Sequence, residues 1–559
     1  MSRQIVLVSL VLVCMLMLPL AAADTIIINS KEWKDVYSGM QYGYLNETSP
    51  KFLASEQHGT LIVNDIQAAE KLIVFSSSRR PFVIGYKNTM ESMGYEADEF
   101  LFDSLSLELA KKLDTINKYV IVDGAYGYNA LAVAPYAIVS KSFVLFADRA
   151  NIAEVVDFLE EKSPEAVLIY GIVDREVREQ LAQFSPEIIN KDGDRFANNV
   201  EIVRKYKEID DKTQVLLSNG EFIEAEIMAG SGPLLFIGNQ NVPDKIREYI
   251  RESNIQVGVL IGNELVGTAT TVRRQTGIST FVKFARSART DQGPVAQIEG
   301  LDVFRVPKVQ LSLALESATY NAITRQLEVT LRNNADVASY FKGTYTITSG
   351  EQEQVVGDVE PVFIESQSAK TVVYDLELIA GEEDIRARAF ITYGESKDSL
   401  EFAINADVAV ERVEINDLSA ISIEKLEYSK PQREFHVFVE NTGSEDAYID
   451  TEVVDVLVID TRRTFGSEEV IRLSPGQKKK SVIPVELEDE DLEKNPIIRV
   501  RAYYGKRENA LAKVLEGEFE LIVRSISVWT YVPILVIIIL LILIIRKKAK
   551  ARKKKANSN

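Results

Sequence analysis

The residues best placed for ligand chemistry lie in "YVIVDGAYGYNALAVAP", residues 119–135. A β-branched run stops at Asp123 and Gly124, passes through a Gly-x-x-Gly turn ending at Gly127, and continues as an Ala-rich segment of helical character. A strand, a glycine turn and a helix amino end can together present backbone N–H groups to an anion. Gly124, Tyr126, Gly127, Tyr128 and Asn129 are therefore candidate contacts for a small acidic ligand. A nucleotide is not expected. A phosphate loop needs Gly-x-x-x-x-Gly-Lys-Ser/Thr and a dinucleotide fold Gly-x-Gly-x-x-Gly, and neither follows Val122. The competing reading, which we prefer, is structural: Gly124 and Gly127 allow a tight turn, and Ala130, Ala132 and Ala134 let a helix pack closely on a sheet.

Other chemistry is sparse. The one cysteine, Cys14, lies in the leader, so the mature chain is expected to form no disulfide and no thiolate site. Two histidines, His58 and His436, are too few for a zinc site built on several imidazoles. An extracellular glycan- or nucleotide-processing enzyme would have to use carboxylates such as Glu160, Glu161, Asp174 and Glu176 as acid and base. Those acids fall on the solvated faces of amphipathic helices, and no aromatic residue flanks a pair to raise its pKa. The expectation is no catalysis, no metal and no cofactor. A solute-binding receptor is a further alternative.

The chain ends place this chemistry. Residues 1–23 carry one charge, Arg3, then an apolar run and Ala21–Ala23, the pattern of a cleavable export signal. "ISVWTYVPILVIIILLILII" (526–545) has no charge and is about 30 Å long as a helix, enough for one span. The basic tail 546–559 fixes that end inside. Residues 24–525 are then extracellular, on a single-pass cell-membrane anchor. Without the leader and tail, 55 basic residues face 83 acidic ones, so this part is near −28. Such a field disfavours nucleic acid as a partner. Asn46, in "NET", is the glycosylation candidate.

About 500 residues exceed one core, so several domains are expected. β-branched runs alternate with amphipathic helices three times, giving units at 24–116, 117–210 and 211–300. Val259, Leu260 and Ile261 of the third align with Val167, Leu168 and Ile169 of the second, and "RRQTGIS" stands where the second has "GDRF". Each unit of about 85 residues is marginal alone. The head is thus expected to unfold as one body, separately from residues 301–524.

These units resemble the type 2 cell-wall-binding repeat of prokaryotic surface proteins. The resemblance rests on Gly124, Tyr128, Asn129, Ala130, Leu131, Ala132 and Pro135, then on Lys191, Asp192, Asp194, Arg195 and Phe196. It implies three Rossmann-like units about a pseudo-threefold axis and adds Asp194 and Arg195 to the ligand candidates. The implied partner is an envelope polymer, a glycan or neighbouring surface proteins, in an oligomer or lattice. The membrane anchor and degenerate copies look more like archaeal surface-layer or envelope proteins.

Residues 301–412 and 413–525 change to period-two alternation. Asn333 and Asn441 stand 108 residues apart, and Tyr393-Gly394 and Tyr504-Gly505 stand 111 apart. Two tandem Ig-like domains without a cysteine pair are expected. The fold class is thus an α/β head of three Rossmann-like repeats, then two all-β Ig-like sandwiches and one transmembrane helix. The function it suggests is a cell-surface structural or binding protein with a surface-layer or adhesive role.

Overall fold

The computed structural model describes residues 24–66, 71–262, 265–283, 303–377 and 385–525. The leader, the apolar stretch 526–545 and the basic tail lie outside the described residues. Among those described, no helix is long and apolar enough to cross a membrane. An amino-terminal α/β region with parallel sheets precedes an all-β region of two curled sheets.

The β-branched runs form three four-stranded parallel sheets of identical topology. In the first, Thr25–Asn29 lies between Ser49–Phe52 and Leu72–Ser77, with Ala97–Phe102 outermost. Lys118–Val122 takes the same place between Ser142–Phe146 and Ala166–Tyr170, with Glu187–Ile189 outermost. Gln214–Ser218 does so between Leu234–Phe236 and Val257–Ile261, with Ser279–Lys283 outermost. Ile26, Ile27 and Ile28 are all buried, as are Tyr119 to Val122 and Val215 to Leu217. Continuous burial is what a sheet covered on both faces demands.

Pairing corrects two alignments. Lys118 faces Ala166 and Gln214 faces Val257, so Val259 is equivalent to Leu168 and not to Val167. Gly171 and Gly262 remain equivalent, and both end their strands at positive φ, 78° and 126°, where glycine is least strained. "RRQTGIS" closes the helix Val266–Thr276 and leads into Ser279–Lys283. It precedes the outermost strand, whereas Asp194-Arg195 follows one.

The first helices of the three units, Trp33–Leu45, Tyr128–Val139 and Ala225–Met228, meet one another. Tyr37 donates its hydroxyl to the Ala130 carbonyl at 2.8 Å. Two of the junctions have an amide clamp. Gln41 Nε2 donates to Ser142 O (3.3 Å) while its Oε1 accepts from Val144 N (3.0 Å). Asn199 Nδ2 donates to Leu234 O and its Oδ1 accepts from Phe236 N, both at 2.8 Å. These amides satisfy the edge strand of the next unit, which would otherwise leave buried backbone groups unpaired. One apolar core runs through all three units from Ile26 to Val309. Phe304, Val306 and Val309 belong to it, and Val303–Arg305 pairs with Phe222–Glu224, so the head extends past residue 300.

The all-β region contains two eight-stranded sheets with matching connectivity. Phe402–Val413 and Lys513–Arg524 each pair antiparallel with the preceding long strand and parallel with their domain's first, Leu313–Asn321 or Ile421–Ser429. Those first strands carry bulges at equivalent places, Leu315/Ser317 and Ile423/Lys425. Asn333 and Asn441 play one role at equivalent turns. Asn333 Nδ2 donates to Val337 O and Glu365 O, and Asn441 Nδ2 to Glu445 O and Leu473 O.

Candidate functional site

The loop after Lys118–Val122 is shaped by its own residues, and its end at Gly127 is buried while Ala125 stays exposed. Asp123 Oδ1 accepts from Ala125 N at 2.8 Å, turning the chain. A Cβ at Gly124 would run into Lys34 Nζ, and one at Gly127 into Val306. Neither glycine has positive φ; at Gly127 the Val306 side chain lies where a Cβ would go, so that glycine permits a close approach, whereas at Gly124 the atom met is the flexible end of Lys34. Gly127 donates its N–H to the Pro307 carbonyl at 2.9 Å, which takes up one of the amide groups an anion would have used. Tyr126 stacks on Tyr128, centroids 5.7 Å apart and 7° between planes. Asn129 is half-buried and packs on Gly171.

Arg195 reaches Tyr128 from the start of the helix Arg195–Ile209, and Asp194 precedes it. Asp194 caps it, Oδ1 accepting from Phe196 N and Ala197 N at 2.8 Å each. Burial raises the Asp194 carboxyl above its ordinary value, with Asp398 adding to the effect against the cap bonds. Arg195 lies over the Tyr128 and Phe196 rings, 4.9 Å from each centroid. Its guanidinium pairs with Glu401 and, at 3.5 Å, with Glu395. Burial opposes its charge, yet the two carboxylates outweigh that and push its pKa up. Tyr128 Oη donates to Glu395 at 3.5 Å, and Ser396 donates to Asp194 Oδ2 at 3.3 Å.

Glu395, Ser396 and Glu401 all belong to the first β domain. The structure thus brings Tyr128, Asp194 and Arg195 together against an acidic loop of the first β domain, while Gly127 packs on Val306 and Pro307. Glu401 and Glu395 are the residues sequence reading missed. Their one sequence signal is negative charge in "YGESKDSLE", some 200 residues from Arg195. The seam continues through Asn241 Nδ2, which donates to Leu400 O (2.7 Å), and Gln240 Oε1, which accepts from Ala403 N (3.0 Å). The second β domain joins it, Arg175 pairing with Asp491 and Arg178 with Asp460, each at 2.5 Å.

A cavity of about 610 Å³ opens where the head and both β domains meet. Gly193, Asp194, Tyr340, Glu395 and Arg463 are among its walls. Burial lowers the Arg463 pKa, against the field of Glu395.

The remaining candidates lie elsewhere. Asn46 is exposed at the end of Trp33–Leu45, its Nδ2 donating to Tyr42 O at 3.0 Å. Asp174 and Glu176 share Arg149 at 3.5 and 3.4 Å, and Glu160 and Glu161 are exposed on the helix Ile152–Lys162. His436 is a strand residue bonded to Glu434 (2.6 Å) and Lys480 (3.0 Å). His58 Nδ1 accepts from Ala54 N at 3.1 Å. Among the described residues, no group of three or more His, Cys, Asp or Glu could hold a metal.

No family model matches the chain. No curated protein matches it either. Among solved structures it is similar to Cwp8 from Clostridium difficile, at 15% identity and TM-score 0.38, over 46% of this chain and 48% of that one. The chain therefore spans about half the length of the Cwp8 chain it matches. It is also similar to the ligand binding region of serine-glutamate repeat protein A of Enterococcus faecium, at 11% identity and TM-score 0.15, over 20% of this chain and all of that one. The periplasmic chaperone SfaE matches at 13% identity and TM-score 0.14, over 38% of this chain and all of that one.

Proposed function

We propose that this is a membrane-anchored cell-surface structural or binding protein: an α/β head of three Rossmann-like repeats on two Ig-like sandwiches, with one transmembrane helix at 526–545. The observation that carries the reading is the Arg195–Glu401 contact. A repeat that served only to capture a ligand would present these side chains to solvent; here Tyr128 and Arg195 are engaged by Glu395 and Glu401 of the β domain, a tied-together body suited to a surface-layer or adhesive role. The leader, the apolar run and the basic tail supply the export and anchoring half of the proposal. Envelope polymers, glycans or neighbouring surface proteins are its proposed partners. Removing residues 526–559 should convert the protein into a secreted, soluble form. Retention of that truncated chain in salt-washed membranes would refute the topology.

A solute-binding receptor is the second reading, favoured by the 610 Å³ cavity between the head and the β domains. Electron microscopy of the native cell surface separates the two, since a lattice or a layer of projecting stalks belongs only to the first.

A further inference from the structure

The two β domains meet at a cluster whose chemistry goes beyond packing. Lys370 stands on the strand Ala369–Asp375 of the first, Asp450 and Glu452 on Ala447–Val458 of the second, and Tyr503 on Ile497–Gly505. Lys370 Nζ lies 2.9 Å from Asp450 Oδ2 and 3.5 Å from Glu452 Oε2. It also sits 3.6 Å from the centroid of the Tyr503 ring. The lysine side chain is 5% exposed and that of Glu452 1%.

The carboxyl groups are held in different ways. Asp450 Oδ1 accepts from Ser467 Oγ at 2.8 Å, which fixes the group and leaves Oδ2 facing the amine. Glu452 Oε1 accepts from Arg501 (2.9 Å) and from Tyr503 Oη (3.3 Å). Glu452 Oε2 is buried and, among the described residues, makes no hydrogen bond. The free oxygen is the one that faces Nζ.

We propose that Lys370 and Asp450 become joined by an amide bond between the two β domains, with Glu452 as the proton acceptor. Nζ passes a proton to Glu452 and attacks Cγ of Asp450. The Nζ–Cγ bond forms, one Cγ–O bond breaks, and the two protons shed by the ammonium leave on the departing oxygen as water. No oxidant or co-reactant is required. A cavity of about 340 Å³ beside Lys370, Asp450 and Tyr503 gives the water a way out.

Two physical arguments favour the step. Burial raises the Glu452 carboxyl from its ordinary value, against the pull of Lys370 and Arg501. Holding amine and carboxyl in contact supplies the high effective concentration that condensation in water lacks. Asp450, Glu452 and Tyr503 together outweigh burial and favour the Lys370 ammonium, so the amine form is rare. One turnover in the life of the chain is enough.

Mass spectrometry of the purified full chain tests this. The expected result is a mass lower by one water, and a proteolytic peptide linking Lys370 to Asp450. Glu452→Gln should restore the full mass while the domains stay folded, and Lys370→Arg should do so while keeping the ion pair. If the wild-type chain yields unlinked peptides for residues 370 and 450, the cluster is an ion pair only and the proposal fails. A cross-link that survives in Glu452→Gln would overturn the role given to Glu452. Should both variants misfold, the wild-type peptide map still decides.

Discussion

Arg195 shows how one side chain can decide whether domains hold together. It is 8% exposed, stacked between Tyr128 and Phe196, and neutralised, among the described residues, by carboxylates from another domain. Arg195→Ala would leave Glu401 buried without its cation, at a cost of about 3–5 kcal/mol. Chemical denaturation should read that loss, and pairing Arg195→Met with Glu401→Gln should recover much of it. Asp194 gives a pH signature. Its carboxyl is raised by burial, so between its folded value and the ordinary aspartate range the folded state binds more protons than the unfolded state. The wild type should therefore gain stability relative to Asp194→Asn as pH falls through that window, and lose it as pH rises. Asparagine preserves the helix cap, so unfolding curves of the two proteins at several pH values isolate the charge.

At the scale of elements, the amide clamps make the three units one object. Asn199→Ala leaves Leu234 O and Phe236 N unpaired in the core, a loss of about 1–3 kcal/mol for each group. Hydrogen exchange at the Phe236 amide should accelerate more than at Val215, which lies on the neighbouring central strand. The repetition of the units was legible because continuous β-branched runs can hardly be anything but doubly covered strands. The equivalence of Val259 was misjudged by one residue because Val, Leu and Ile are interchangeable in such runs, and only hydrogen-bond register separates them. The purpose of Gly127 was hidden for a different reason. A glycine kept for close approach looks like a glycine kept for a turn until Val306, far along the chain, is seen lying against it. The paired asparagines at 333 and 441 were legible because their role is local: each side chain ties down the turn that follows it.

The whole molecule departs from beads on a string. With one core shared from Ile26 to Val309, cutting between Lys212 and Thr213 should destabilise all three units together. The seam also changes the expectation that the head unfolds separately from residues 301–524. Arg195, Asn241 and Gln240 bind the head to the first β domain, and Arg175 and Arg178 bind it to the second. Calorimetry should show the head melting together with the first β domain. Arg175→Ala with Arg178→Ala should shift the second domain's transition to lower temperature and away from the rest. Independent, reversible melting of the wild-type head at its own temperature would contradict the shared seam.

The contact between Arg195 and Glu401 spans 206 residues of chain, and this sets a clock. Synthesis runs from the amino end at about 5–20 residues per second, so the guanidinium waits roughly 10–40 s for its partner to be made. Through that interval the first three units exist as a nascent body with an unmet cation and an open loop at Gly127. In the finished protein Arg195 is paired, but every copy passes through a youth in which it is not.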